Sequence, residues 1–323
     1  MKGKRILITG GLGFVGSNLA HRCLELGAQV AIYDCLDPKS GGNMQNIQEI
    51  KNSVEVILND IRNFEGLSAC IQRRDIVFSC AAYTSHPNSM KEPLIDIDVN
   101  CKGMINILEA ARRFNPDLKI VHVGTSTQIG QMRREQVDEL HPEFPVDIYS
   151  ANKSASEKYV LIYGRAYRMR ATVVRLANVF GPRSNIRSPE FGFVNYFIGL
   201  ALRGKTLTVY GTGSQLRNLS YVEDVVDALI LAAESQRVEG EVFFAAADRQ
   251  YSVAEIATAI VQHVGGKVES VEWPKEREAI DFGDAVVSNA KIKQVLGWKP
   301  LFDLASGLAR TREYFVSRLD RYL

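Results

Sequence analysis

Tyr149 and Lys153 lie four residues apart in Tyr149-Ser150-Ala151-Asn152-Lys153, a separation that puts a phenol and an ammonium on one face of a helix. A free phenol titrates near about 10 and is a poor base at neutral pH. A neighbouring ammonium favours the phenolate and lowers that value; each unit is worth about 1.4 kcal/mol. Such a pair can take a proton from an alcohol and give it back. Far upstream stands Gly10-Gly11-Leu12-Gly13-Phe14-Val15-Gly16. Gly10, Gly13 and Gly16, with Phe14 and Val15 in the last interval, fall between an apolar run and a helical pattern. Side chains there would keep a pyrophosphate from the amides and the positive dipole end of the helix. A dinucleotide nest followed by a phenol–ammonium pair describes chemistry that moves a hydride and a proton to or from one alcohol.

Asp34 ends the second apolar run, at the distance of about twenty residues at which a carboxylate accepts hydrogen bonds from an adenosine ribose. It repels a 2′-phosphate, so it predicts NAD; Lys39 nearby leaves NADP open. Asp60 with Ile61 is placed to contact adenine. Thr125, at the end of the fifth run, can hydrogen-bond the same substrate hydroxyl as Tyr149, and Ser126 is the rival for that role.

The elements that must position these residues are legible as runs. Arg5–Thr9, Gln29–Tyr33, Val54–Leu58, Asp75–Ser79, Lys119–Val123 and Ala171–Arg175 read as strands. Gly16–Leu26, Ile97–Phe114 and Ile148–Tyr167 read as helices, the first ending at Gly27. Strands alternating with helices imply an α/β fold with a doubly wound parallel sheet covered on both faces. After Asn178 the pattern loosens. Val179–Ile186 reads as a loop, Phe191–Arg203 as a helix, Leu207–Tyr210 as a strand and Val253–Val264 as a helix. Val222–Glu234 and Glu241–Ala245 read as a helix and strand that return to the main sheet. The expected division is residues 1–176 and 219–247 for nucleotide binding, and 177–218 and 248–323 for a smaller, discontinuous substrate domain.

Composition narrows the partners. The hydrophobic share is 46% and the charged share 24%, ordinary for a globular protein in water. A net charge of +2 argues against nucleic acid held by bulk charge. Cys23, Cys35, Cys70, Cys80 and Cys101 are scattered singly, which fits reduced thiols and a cytoplasmic location. His21, His86, His122, His141 and His263 show no metal-ligand spacing, so no metal is expected. The first apolar run is too short for a signal peptide, and no run approaches a membrane span.

With these motifs in this order, the chain resembles the extended short-chain dehydrogenase/reductase family. Within it, the match is to the nucleotide-sugar epimerases and dehydratases of the UDP-glucose 4-epimerase-like kind. It runs nearly end to end, through Thr9–Gly16, Asp60-Ile61-Arg62, Ala81-Ala82, Val99-Asn100, Gly124–Gly130, Tyr149–Lys153, Arg175–Gly181, Arg217–Asp224 and Leu296–Pro300. The resemblance implies a Rossmann-type fold, NAD as cofactor and a homodimer through the helices Ile97–Phe114 and Ile148–Tyr167. It implies that Thr125 is the catalytic Ser/Thr and Tyr149/Lys153 the acid–base pair, with Ala81, Ala82, Asn100 and Lys153 bordering the cofactor. Asn178, Arg217 and Arg277 resemble residues that bind the sugar-nucleotide diphosphate, and Val209 and Tyr210 those of the nucleobase pocket.

The family also divides by reaction. Sugar 4,6-dehydratases carry Asp-Glu directly after the Ser/Thr, because loss of water needs its own acid and base; here Ser126 and Thr127 stand there. The sugar-acid decarboxylases keep a Glu where Thr127 stands, and the 3,5-epimerase/reductases use a Cys near that point, which this chain lacks. No second acid or base is visible, which leaves oxidation of one hydroxyl and reduction on either face: a nucleotide-diphosphate sugar epimerase. C4 is the commonest position for this resemblance. Ser85-His86-Pro87 and Phe191–Phe197, with Asn195 in it, resemble CDP-tyvelose-type 2-epimerases and keep C2 open, with Ser85, His86 and Asn195 as sugar contacts. Ile129 and Asn218 depart from the Tyr and Asp usual at their positions. A net dehydrogenase or ketoreductase and a non-catalytic NAD-binding sensor are the rival readings.

Overall fold

The structure, a computed structural model, describes residues 1–236, 238–274 and 283–323. The chain opens with β1 (Arg5–Thr9), α1 (Phe14–Glu25), β2 (Gln29–Asp34), β3 (Val54–Leu58), α2 (Phe64–Ile71) and β4 (Ile76–Ser79). It continues through α3 (His86–Lys91), α4 (Pro93–Asp96), α5 (Gly103–Phe114), β5 (Lys119–Thr125), α6 (Ile148–Tyr167) and β6 (Arg170–Leu176). There follow β7 (Asn178–Phe180), α7 (Phe193–Leu202), β8 (Thr206–Tyr210), β9 (Leu216–Tyr221), α8 (Val222–Glu234), β10 (Val242–Ala245), β11 (Gln250–Ser252), α9 (Val253–His263) and β12 (Lys267–Val271).

Seven strands form one sheet in the order β10-β6-β5-β4-β1-β2-β3. β1 pairs in parallel with β2 and with β4, β2 with β3, and β4 with β5. The order reverses direction between β1 and β4, the switch point outside whose carboxyl ends such sheets bind ligands. β1, β2 and β4 are almost wholly buried, as strands covered by helices on both faces must be. Leu7, Val77, Ile120 and Val173 of the sheet pack with Ile107, Leu108 and Val160 of α5 and α6 in one core.

The chain divides into two compact units. The first is Met1–Thr125, Asp147–Arg175 and Val226–Phe243; the second is Ser126–Val146, Leu176–Val225 and Phe244–Leu323. The expected boundaries differ from this division chiefly in residues 126–146. That segment joins the second unit because Ile129 and Val137 pack with Phe244, Ala246 and Val287 in a core of their own, and Val137 bridges to Val287. Within the second unit β11, β9 and β7 form a three-stranded sheet, and β12 pairs with β8. Phe180, Phe197, Ile198, Leu207, Leu219, Tyr221, Ile256 and Leu308 fill its main core. The strand Asn178–Phe180 overlaps the start of Val179–Ile186, which reads as a loop. The stretch Ile97–Phe114 is not one regular helix either: Ile97–Lys102 is a π-helical turn leading into α5.

Candidate functional site

The glycine loop is shaped by contacts that exclude side chains. Gly10 has φ +68°, and a Cβ on it would lie 2.7 Å from the Ala81 backbone beyond β4. A Cβ on Gly16 would lie 2.3 Å from the Gly10 carbonyl, so helix α1 approaches the strand end only because residue 16 is glycine. Gly13 differs. Its added Cβ would meet only the Gly10 carbonyl, at 3.2 Å, so packing inside the protein does not demand glycine there. Gly13 is the N-cap of α1 and no side chain caps that helix end. Phe14 and Val15 open the helix. A bare helix N-terminus behind a cradle that a Cβ would fill fits a pyrophosphate.

Asp34, at the end of β2, ties into this loop. One carboxylate oxygen accepts from the Leu12 amide at 3.0 Å and the other from the Leu36 amide at 2.9 Å. The Cys35 amide bonds the same carboxylate, and since a carboxylate has about four acceptor positions, one stays open to a ribose hydroxyl. Lys39 is paired with Glu92 at 2.6 Å. The Asp60 carboxylate is held by Arg62 in a two-pronged pair. Ile61 is buried, and a Cβ on Gly103 would lie 2.4 Å from its Cδ1. The Ala81 amide lies 3.4 Å from the Thr9 hydroxyl, and Ala82 follows it out of β4. Asn100 sits in the π-helical turn, a device frequent at functional sites. Its amide holds both the N–H and the carbonyl of Tyr83, and also donates to Asp96.

Thr125 is the last residue of β5, and Tyr149 and Lys153 occupy the first turns of α6. Asp147 caps α6 by accepting from the Ser150 amide at 2.8 Å. The Asp-x-x-Ser pattern before an apolar run is a readable cap. The Thr125 hydroxyl hydrogen-bonds the Tyr149 phenol, which pulls its pKa down, but burial acts more strongly and pushes the phenol up. Burial and the Asp96 and Asp147 charges act against the expected lowering by the Lys153 ammonium. Lys153 Nζ spends its protons on the Val123 carbonyl at 2.8 Å and on His122 Nε2 at 3.3 Å. Burial brings Lys153 down to about 8. Burial and the nearby Lys153 charge hold His122 neutral, which lets its ring accept from the ammonium. His122 also reaches the Ser79 hydroxyl at 3.3 Å. Its only sequence signal is a polar side chain in the apolar strand Lys119–Val123.

The same region holds a second titratable group, where the family comparison with residues 126 and 127 shows none. His86 Nδ1 lies 2.7 Å from Asp147 Oδ2. Its ring meets the Tyr149 ring edge-on, with centroids 4.9 Å apart. Ser85 caps α3 by accepting from the Asn88 amide, and is itself buried. Among the described residues no cluster of three or more His, Cys, Asp or Glu side chains can hold a metal. No helix there is long and apolar enough to cross a membrane.

The remaining candidates belong to the second unit. Ser126 opens a short turn, Ser126–Ile129. Asn178 begins β7, 3.5 Å from the Asn218 carbonyl. Asn195 is buried; it donates to the Val179 carbonyl and accepts from the Gly181 amide, so it holds the β7 turn. Arg217 donates from Nη1 to the carbonyls of Leu216 and Gly283. Tyr210 pairs with Trp273, centroids 5.3 Å apart, a partner that sequence reasoning missed because it lies about sixty residues away, beyond β12. Arg277 lies outside the described residues.

The fold and the first unit's site define a dinucleotide-binding protein with a phenol–ammonium pair. The model of the NAD dependent epimerase/dehydratase family matches residues 6–246, and the chain belongs to that family. It is 33% identical over 319 residues to the UDP-glucose 4-epimerase of Mycolicibacterium smegmatis, covering 97% of this chain and 99% of that one. It is 30% identical over 329 residues to the UDP-N-acetyl-alpha-D-glucosaminuronate decarboxylase of Bacillus cytotoxicus, covering 97% and 98%. The solved Thermus thermophilus UDP-glucose 4-epimerase, in complex with NAD, superposes with a TM-score of 0.86 at 30% identity, covering 96% of this chain and 98% of that one.

Proposed function

We propose that this protein interconverts the C4 epimers of a nucleotide-diphosphate sugar, a UDP-sugar on the likeness to the relatives named above. The observation that carries this reading is the buried Thr125–Tyr149–Lys153 constellation at the strand ends, with Ser126 and Thr127 where a dehydratase or decarboxylase needs acids. The Gly10–Gly16 loop and Asp34 would hold NAD, which would supply reversible hydride acceptance at the carbinol carbon. Tyr149 takes the hydroxyl proton and gives it back to the opposite epimer. Thr125 orients the phenol and stabilises its anion by donation. Lys153, fixed between Val123 and His122, contributes positive charge beneath the same helix face. Asn178 and Arg217, with Arg277, are the diphosphate contacts on this reading, and Tyr210 with Trp273 the base contact. The nucleotide anchors the substrate, and remote binding energy retains the keto-sugar.

Purified protein incubated with UDP-, GDP-, CDP- and TDP-sugars, without added NADH, tests this by proton NMR. A C4 epimer without net NADH change is expected. Product only when NAD(P) is consumed would overturn the reading in favour of a dehydrogenase or ketoreductase. A homodimer through α5 and α6 belongs to the same reading; Phe114, Ile162 and Tyr167 expose large apolar side chains on those helices. Light scattering should give twice the chain mass.

A further inference from the structure

The His86–Asp147 pair is placed like an acid–base dyad. Asp147 is fixed from two sides, by the Ser150 amide on Oδ1 and by His86 on Oδ2. Burial pushes its carboxyl up, but the His86 and Ser150 bonds outweigh that and hold it below its ordinary value. An ionised carboxylate on Nδ1 keeps a proton on that nitrogen, so Nε2 carries the lone pair. The ring is fixed again by its edge contact with Tyr149, and the Ser89 hydroxyl, which donates to the His86 carbonyl, accepts from the Tyr149 amide. The His86 side chain is 39% exposed while Tyr149 is 8% exposed. The imidazole thus reaches the surface beside a buried phenol.

We propose that His86, oriented by Asp147, is a second acid–base group of this site, acting on the C–H bond next to the sugar carbonyl. The proposal rests on the reading above, in which a keto-sugar forms against Tyr149. Nε2 takes the proton from the carbon alpha to the ketone. The C–H electron pair becomes the enolate double bond, and the carbonyl π pair moves to oxygen, where the Tyr149 hydroxyl donates. Return of the proton from Nε2–H restores the ketone, with the same or the inverted configuration. No oxidant or reductant enters this step. The site is then built for substrates that are acidic beside the carbonyl, and its chemistry extends to stereochemical change at C3 or C5.

A preformed keto-sugar isolates the step from hydride transfer. The NAD-loaded protein is mixed with UDP-4-keto-6-deoxyglucose in D2O, and loss of the H3 and H5 signals is followed by NMR. General acid–base catalysis predicts exchange at least about 100-fold faster than in buffer. His86→Asn should abolish that gain with unchanged NAD content. His86→Gln, which keeps a donor for Asp147, is the second variant should the first fail to fold. Wild-type exchange at the buffer rate, or variants exchanging as fast as wild type, would overturn the proposal. If the sugar panel yields epimers and the keto-sugar does not exchange, the dyad fails and the epimerase reading stands. If the keto-sugar exchanges and no epimer forms, the reverse holds.

Discussion

Tyr149 in the first unit and Arg217 in the second are both buried polar residues proposed to meet substrate, yet they are held in different ways. Tyr149 belongs to a network of side chains. Thr125 hydrogen-bonds its phenol, His86 packs on its ring, and Asp147 ties His86 to the cap of α6. Three elements, β5, α3 and α6, carry that network. Arg217 instead donates to the carbonyls of its own strand neighbour and of Gly283, on a small three-stranded sheet. A network fixes reacting groups to within the tolerance that catalysis requires. Bonds to backbone carbonyls fix a guanidinium through the course of the chain and draw on no side chain of the Tyr149 network.

Substitutions can break or sharpen this contrast. The largest effect is expected at Tyr149. Tyr149→Phe should lower kcat at least about 1,000-fold and leave NAD content unchanged, read by turnover and by NAD released on denaturation. Retained activity would show that the phenol is not the base. Next comes the support of α6. Arg175 and Glu157 form a fully buried pair, 2.6 Å apart, and Arg175→Met leaves the Glu157 carboxylate without its buried partner, while the half-exposed Lys158 ammonium stays 3.2 Å away. Removing one partner of a buried pair costs at most about 3–5 kcal/mol, less what Lys158 compensates, visible as a lowered urea midpoint; an unchanged midpoint would mean the network is not rigidly braced. Arg217→Ala should raise KM about 10- to 100-fold, the worth of a hydrogen bond to a charged group, with kcat nearly unchanged. A matching fall in kcat would put Arg217 in the catalytic network.

The smallest effect is a pH dependence. Burial holds Lys153 at about 8, below the usual lysine value near about 10.4. Between those values the unfolded chain binds the proton that the folded chain has lost. Stability should therefore rise with pH across that window, by up to about 1.4 kcal/mol per unit. The measurement is urea denaturation of wild type against Lys153→Met, which lacks this dependence; parallel curves from pH 8 to 10 would show that Lys153 keeps its ordinary pKa.

Much of the first unit is legible in the residue order. Val54–Leu58 and Ile148–Tyr167 have the observed bounds, because a short apolar run between polar residues and a capped helical pattern are both local signals. The glycine loop is legible because Gly10 and Gly16 answer local steric demands and Gly13 leaves the helix start open. The π-helical turn at Ile97–Lys102 is not, since its residues suit an α-helix and tertiary contacts through Asn100 and Asp96 select the wider turn. Leu216–Tyr221 carries Arg217 and Asn218 among its apolar residues, and it is a strand only because β7 and β11 flank it. The His86–Asp147 pair joins residues about sixty apart in the chain, a separation at which no periodicity speaks.

The sequence by itself determined the chemistry that is available: a glycine-lined helix start, an acid at the end of the second strand, and a phenol one helical turn from an ammonium. These depend on short-range spacing, which the covalent chain imposes. Tertiary structure alone decided what surrounds those groups. Burial raised the Tyr149 pKa where a neighbouring charge was expected to lower it. His122 took the ammonium's contact, and His86 came to rest on the phenol. Desolvation and side-chain contacts are set by which distant segments pack together, and packing is a property of the fold.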